Sequence, residues 1–248
     1  MRLELYTVAL LSGACLVTAC ADDAPSPATS GLTRSLLTQP IGDGVSTPMG
    51  EIQALSQQEP DIPLTDIGYN RGDTEAPVKV IEMSDYGCGY CSKFHEETFP
   101  TLLTEFVESG MVEWKFMPYI TGMFENSLVA SEAAECAYVQ DADAFEALNA
   151  QLWTNQSEWK RSDDPEPVVR NWVSALGLDM AAFDTCLSED AGFKRVAGAT
   201  AIAKRLGVRG TPTFVVIGYP PLQGALPLET FRQVLHAVHA ELVAEGGQ

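Results

Sequence analysis

Two cysteines separated by two residues, Cys88-Gly89-Tyr90-Cys91, follow almost directly on an apolar, β-branched run, Val78-Lys79-Val80-Ile81-Glu82-Met83-Ser84. Pro77 precedes that run, and it reads as a buried strand. Asp85-Tyr86-Gly87 makes a turn, and from residue 92 to 107 apolar side chains recur at Phe94, Phe99, Leu102, Leu103 and Phe106. That spacing predicts a helix, kinked at Pro100. The dithiol is thus expected where a strand ends, the chain turns and a helix begins.

This placement dictates the chemistry of the pair. Unpaired N–H groups and the helix dipole stabilise an anion at a helix start. Cys88 is therefore expected to have a lowered pKa and to be the exposed, attacking thiolate. Cys91, a turn deeper, is placed to resolve a mixed disulfide formed at Cys88. The competing readings are a permanent structural bridge and half of a zinc site. Zinc needs two further ligands, yet the other cysteines are isolated and only His95 of the three histidines is near. No metal and no cofactor is expected.

The compartment is read from the first residues. An apolar stretch over residues 6–19 is too short to span a bilayer and sits where a signal h-region belongs. Its end, Leu16-Val17-Thr18-Ala19-Cys20, resembles the lipobox of bacterial lipoproteins, although Arg2 is the lone early base and Glu4 lies nearby. A signal over 1–19 and lipidation of Cys20 are expected; the alternative is ordinary cleavage after an alanine. Residues 20–63 hold the Cys20 site and a segment rich in Pro, Ser, Thr, Gly and Gln that reads as a tether. Removing Cys15 with the signal and Cys20 as the lipid site leaves four of the six cysteines, an even set that suits an oxidising compartment. The net charge of −19, from 34 acids and 15 bases, argues against nucleic acid and anionic membrane surfaces as partners. Contact with a membrane is expected only through the anchor.

Residues 111–117 alternate in part (Val112, Trp114, Phe116) and predict a strand ended by Pro118. Residues 126–206 have helical periodicity, broken at Arg161-Ser162-Asp163-Asp164-Pro165 and at Gly177-Leu178-Asp179. Cys136 and Cys186 fall in separate helical stretches and are expected to form a structural disulfide; the alternative is two buried thiols. Trp153, Trp159 and Trp172 read as core. Residues 228–242 predict a C-terminal helix with His236 and His239 at the surface.

Far downstream, Gly210-Thr211-Pro212-Thr213 feeds the apolar run Phe214-Val215-Val216. Together with Glu82-Met83-Ser84-Asp85-Tyr86-Gly87-Cys88-Gly89-Tyr90-Cys91, Ala133-Ala134-Glu135-Cys136-Ala137 and Gly177-Leu178-Asp179, it makes the chain from about residue 68 to 242 resemble the DsbA-like thioredoxin family of bacterial cell envelopes. The resemblance implies an α/β thioredoxin fold with an inserted helical domain, at about 124–190 within a domain of 64–248. It implies thiol–disulfide exchange on exported proteins, a membrane redox partner that recycles the pair, and a periplasmic location. Residue by residue, Cys88 matches the nucleophile, Cys91 the resolving thiol and Pro212 a cis-proline that turns the Thr211 backbone toward the pair as an edge for client segments. Glu82 matches a buried acid beneath the disulfide. Burial there is expected to raise its pKa and let it take the proton of Cys91; the alternative is a solvent-facing strand end. His95 is expected to serve packing or solubility before catalysis. The Gly89-Tyr90 pair is similar to that of envelope isomerases. No dimerisation segment is recognisable, so a monomer that introduces disulfides is expected first, an isomerase or reductase second, and a non-catalytic binding or chaperone module last.

Overall fold

A computed structural model describes residues 64–246, with side chains through residue 245. The signal, Cys20 and the tether lie outside the described residues. After a short 3-10 turn (Leu64–Asp66), the chain runs through β1 (Tyr69–Arg71), β2 (Val78–Ser84), α1 (Gly89–Glu97), α2 (Phe99–Leu102) with a π turn at Leu103–Val107, and β3 (Val112–Pro118). Six helices follow: α3 (Ser127–Tyr138), α4 (Ala142–Thr154), α5 (Gln156–Trp159), α6 (Pro165–Ser174), α7 (Met180–Ser188) and α8 (Ala191–Arg205). β4 (Thr213–Val216), β5 (Leu222–Gln223) and α9 (Leu228–Gly246) complete the fold.

The sheet order is β1-β3-β2-β4-β5, with β2 and β3 parallel and the other pairs antiparallel. β2 is central, and its residues between Val80 and Met83 pair on both sides. The period-two alternation of a strand sends Val78, Val80, Glu82 and Ser84 to one face and Lys79, Ile81 and Met83 to the other. On the first face Val78 and Val80 join Phe94, Phe99, Leu102, Trp114, Phe214, Phe231 and Leu235, so α1, α2 and α9 are packed there. On the second face Met83 and Met117 meet Ala199 and Ala203 of α8. The fold is the α/β thioredoxin architecture with an additional helical layer.

That layer has its own apolar centre in Phe145, Leu148, Leu152, Trp153, Trp159, Val169, Val173 and Phe183, which continues to Tyr86, Cys88 and Cys91. Trp153 and Trp159 are core, as their spacing predicts, whereas Trp172 is only partly buried against that cluster. The two breaks expected in the helical region are present, and further ones fall between α3 and α4, at Asn155 and between α7 and α8. The helix after the dithiol is interrupted at Thr98 (φ −114°, ψ −50°) and resumes at Phe99 with Pro100 in its first turn. Cys136 and Cys186 are bonded, joining α3 to α7.

Candidate active site

Cys88 is the N-cap of α1, in extended backbone at φ −78° and ψ 120°. The loop before it is held from several elements. The Cys88 amide donates to Asp85 O at 2.8 Å. The Gly87 amide donates to Asp85 Oδ1 at 3.0 Å and to Ser127 Oγ of α3 at 3.1 Å. A Cβ at Gly87 would stand 2.3 Å from Ser127 Oγ and 2.4 Å from Phe124 Cβ, so only glycine fits that close approach. Gln156 Nε2, from α5, donates to Tyr86 O at 2.6 Å and to Cys88 O at 3.1 Å. The helical layer therefore grips the backbone of the dithiol loop directly.

The two thiols are free and differ sharply. Cys88 is pulled down to about 6, first by the hydrogen bond from the Cys91 thiol, with Thr211 and the backbone amides of Cys91 and Tyr90 adding to it against the effect of burial. Cys91 is pushed well above its ordinary value by burial, and the neighbouring Cys88 adds to the rise. One correction concerns exposure. Cys88 was expected to be exposed, yet it is only 3% exposed against 0% for Cys91. The apolar helical layer covers both, while Tyr90 between them stands 70% exposed. What distinguishes the thiols is therefore anion stabilisation, with accessibility a smaller difference.

The Thr211–Pro212 peptide is cis. It brings Thr211 O within 3.5 Å of Cys88 Sγ, across 123 residues of sequence. Thr213 Oγ1 donates to Gly210 O at 2.8 Å and closes the turn.

Beneath the pair, Glu82 is fully buried, not a solvent-facing strand end. Its Oε1 accepts from Ser84 Oγ at 2.5 Å and faces His95 Nε2 at 2.7 Å; its Oε2 accepts from Trp114 Nε1 at 2.9 Å. The expected rise in its pKa does not hold. Desolvation is the largest single influence and raises the Glu82 pKa, but His95, Ser84 and Trp114 together outweigh it, and the net direction is down. His95 is 8% exposed and stacks on Trp153 with centroids 4.5 Å apart and planes within 8°. Packing is part of its role, as expected; solubility is not, and its bond to Glu82 joins it to the site. Trp153 Nε1 and Tyr86 OH both donate to Asn149 Oδ1, at 3.0 and 2.8 Å. Ser84, Trp114, Asn149, Trp153 and Gln156 were not among the residues that the sequence assigns to the site. Of these only Ser84 carried a signal, being two residues after Glu82 on the same strand face. Among the described residues no group of three or more His, Cys, Asp or Glu side chains is arranged to hold a metal ion.

A family profile described as Thioredoxin matches residues 65–237. The chain belongs to the thioredoxin family. Within it the resemblance is to DsbA proteins. Disulfide bond formation protein D of Bacillus subtilis is 32% identical over 148 residues, which are 58% of this chain and 65% of that protein. The crystal structure of alpha-DsbA1 from Wolbachia pipientis superposes with a TM-score of 0.65 at 19% identity, covering 75% of this chain and 96% of that one. This thioredoxin-family chain is also 35% identical over 153 residues to Na(+)/H(+) antiporter NhaA 1 of Salinispora arenicola; the match takes in 62% of the chain and 22% of the antiporter's length.

Proposed function

We propose that this protein is a thiol–disulfide oxidoreductase that acts on exported proteins through Cys88 and Cys91, chiefly by introducing disulfides. The observation that carries the reading is the split between the thiols, Cys88 lowered to about 6 and Cys91 raised. A thiolate stabilised in the reduced form favours reduction of the pair, which makes the disulfide form a better oxidant. A client thiolate attacks Cys88 Sγ of the oxidised pair and Cys91 leaves with a proton to collect. A second client thiolate then attacks the client sulfur of the mixed disulfide and expels Cys88 as a stable thiolate. Thr211, before the cis-proline, offers its backbone beside Cys88 for the client segment. Glu82, held as a carboxylate, serves as acceptor for the Cys91 proton when the pair closes.

Further parts of the reading are that residues 64–248 form one thioredoxin domain with a helical insertion at about 124–190, and that Cys136–Cys186 is structural. The remaining parts are a cell-envelope location with Cys20 as a lipid anchor, a membrane redox partner that reoxidises the pair, and a monomeric state. Isomerase or reductase action is the second reading, favoured by the Gly89-Tyr90 dipeptide.

The test is a pair of variants, each reduced and assayed on an unfolded protein substrate that carries disulfides. Cys88→Ser is expected to abolish exchange. Cys91→Ser is expected to retain attack and accumulate mixed disulfides. Mixed disulfides found on Cys91 in place of Cys88 would reverse the assigned roles.

A further inference from the structure

The pairing of β4 with β2 ends at Thr213, and the turn that carries Thr211 and the cis-Pro212 peptide lies just before it. The sheet therefore fixes one limb of that turn. The other limb comes from the end of α8 and is tied at Val208. Its amide donates to Ala203 O at 3.0 Å, and its carbonyl accepts from the Tyr119 hydroxyl at 3.0 Å, across 89 positions of sequence. From Val208 to Thr211 the chain can span about 10 Å at most, so a shift at Val208 reaches the carbonyl beside Cys88 Sγ. Tyr119 is itself firmly held. It follows β3 directly, its amide donates to Ser84 O at 2.8 Å, and its ring is buried among Ile67, Met83, Met117, Ala199 and Ala203. Ile120 N donates to Thr200 Oγ1 of α8 at 3.1 Å, and Thr121 donates through N and Oγ1 to Asp85 Oδ2 at 3.1 and 3.0 Å. Asp85 in turn accepts the Cys88 amide on its carbonyl. Residues 119–121 thus form a strap, bound to the dithiol loop at Asp85 and to the cis-proline turn at Val208. Burial, with the Asp85 charge, raises the Tyr119 pKa above its ordinary 10.0, so the hydroxyl stays a donor.

We propose that Tyr119 is a positioning residue for the client: by holding Val208, its hydroxyl sets the place of Thr211 beside Cys88. The inference rests on the thiol–disulfide exchange reading above, with the Thr211 backbone as the edge along which a client segment lies. Such a segment must pair with that edge while its sulfur comes into line with Cys88 Sγ, so the spacing of turn and thiol decides whether both are met at once. A buried ring on a strand end has little rotamer freedom left to lose, which suits it to fix a spacing through one hydrogen bond. Without the hydroxyl, the Val208 carbonyl loses its partner and one limb of the turn is freed. The dithiol loop keeps its own anchors in Ser127 and Gln156. The consequence is selective: a substrate that uses the edge suffers, and one that meets only the sulfur does not.

Two disulfides separate the cases. One is bis(2-hydroxyethyl) disulfide; the other is a short extended peptide whose single cysteine is joined to 2-mercaptoethanol by the same kind of bond. The reduced full-length protein attacks either through Cys88. The bond from Cys88 to a substrate sulfur forms, the substrate S–S bond breaks, and its electron pair leaves on the other sulfur. Single turnovers in stopped flow over a range of concentrations give a limiting rate and a half-saturating concentration for each. Wild type should prefer the peptide. Tyr119→Phe, which removes one oxygen and keeps the ring, should lower the peptide's second-order rate about fivefold, through weaker saturation at an unchanged limiting rate. The small disulfide should stay within about twofold. A peptide rate equal to wild type, an equal fall for both substrates, or a variant that does not fold would each overturn the proposal. A wild type without peptide preference would remove the client edge and the role of Tyr119 with it. Failure of wild type to attack either disulfide would refute the exchange reading itself.

Discussion

At Glu82 burial and hydrogen bonding pull in opposite directions, and the partners decide the outcome. Three donor groups surround two oxygens that have lost all water, and charge-assisted bonds of this kind are the strong ones. Because the folded pKa is lowered, the carboxylate adds stability above the unfolded carboxyl range, and that stability is lost as pH falls through the folded value. Glu82→Gln should therefore cost about 1–2 kcal/mol near neutral pH, shrinking in acid, where a mere desolvated charge would have made the variant equal or better. The same variant should slow closure by Cys91 several-fold and leave attack by Cys88 nearly unchanged. Equal closure rates would leave Glu82 a structural group only. Cys88 follows the same sign. With a folded value of about 6 against an ordinary 9.0, its thiolate stabilises the reduced protein increasingly as pH rises through that interval, and the gain is absent below about 6. Denaturation of the reduced and oxidised forms at several pH values should show the difference between them growing over that window; a constant difference would contradict the thiolate assignment.

Helices α3 and α7 are tied by Cys136–Cys186 over a sequence separation of 50, a closure worth about 4 kcal/mol in the chain-entropy account. Replacing both cysteines by alanine should lower stability by up to that amount and leave the exchange chemistry of Cys88 in place. In the intact protein mild reductant should open Cys88–Cys91 before this bond, which peptide mass mapping would check. Gly87→Ala should disturb the dithiol loop by about 1–3 kcal/mol, since its Cβ must displace Ser127 or Phe124; wild-type stability and exchange would count against the close-approach argument. The elements that sequence made legible are those with strong local pattern. β2 shows as a run of branched apolar residues, β4 as the apolar stretch after Pro212, and α9 as a sustained helical period. β1 and β5 were not visible, because three and two residues carry no period and those strands are defined by their neighbours. The site divides along the same line. Cys88, Cys91, Pro212 and Glu82 could be named from motifs, whereas the stacking of Trp153 on His95 and the grip of Gln156 on the loop join residues 58 and 68 positions apart. No local pattern encodes such contacts; they arise only when the helical layer meets the sheet.

The whole molecule joins a thioredoxin sheet to a helical layer that covers and grips its dithiol loop, in an acidic chain of net charge −19. None of the described helices is long and apolar enough to cross a membrane. The helical layer hides both sulfurs from water, while the Cys91 thiol, with the amides at the start of α1, lowers the Cys88 pKa, and on the proposed reading that combination favours oxidation of clients. A couple whose reduced form is stabilised in this way should be oxidising. Equilibration of the full-length protein with glutathione buffers, read by mass mapping of Cys88 and Cys91, measures it. The account predicts a potential more positive than about −200 mV. A value near −270 mV, as in a reducing thioredoxin, would contradict it.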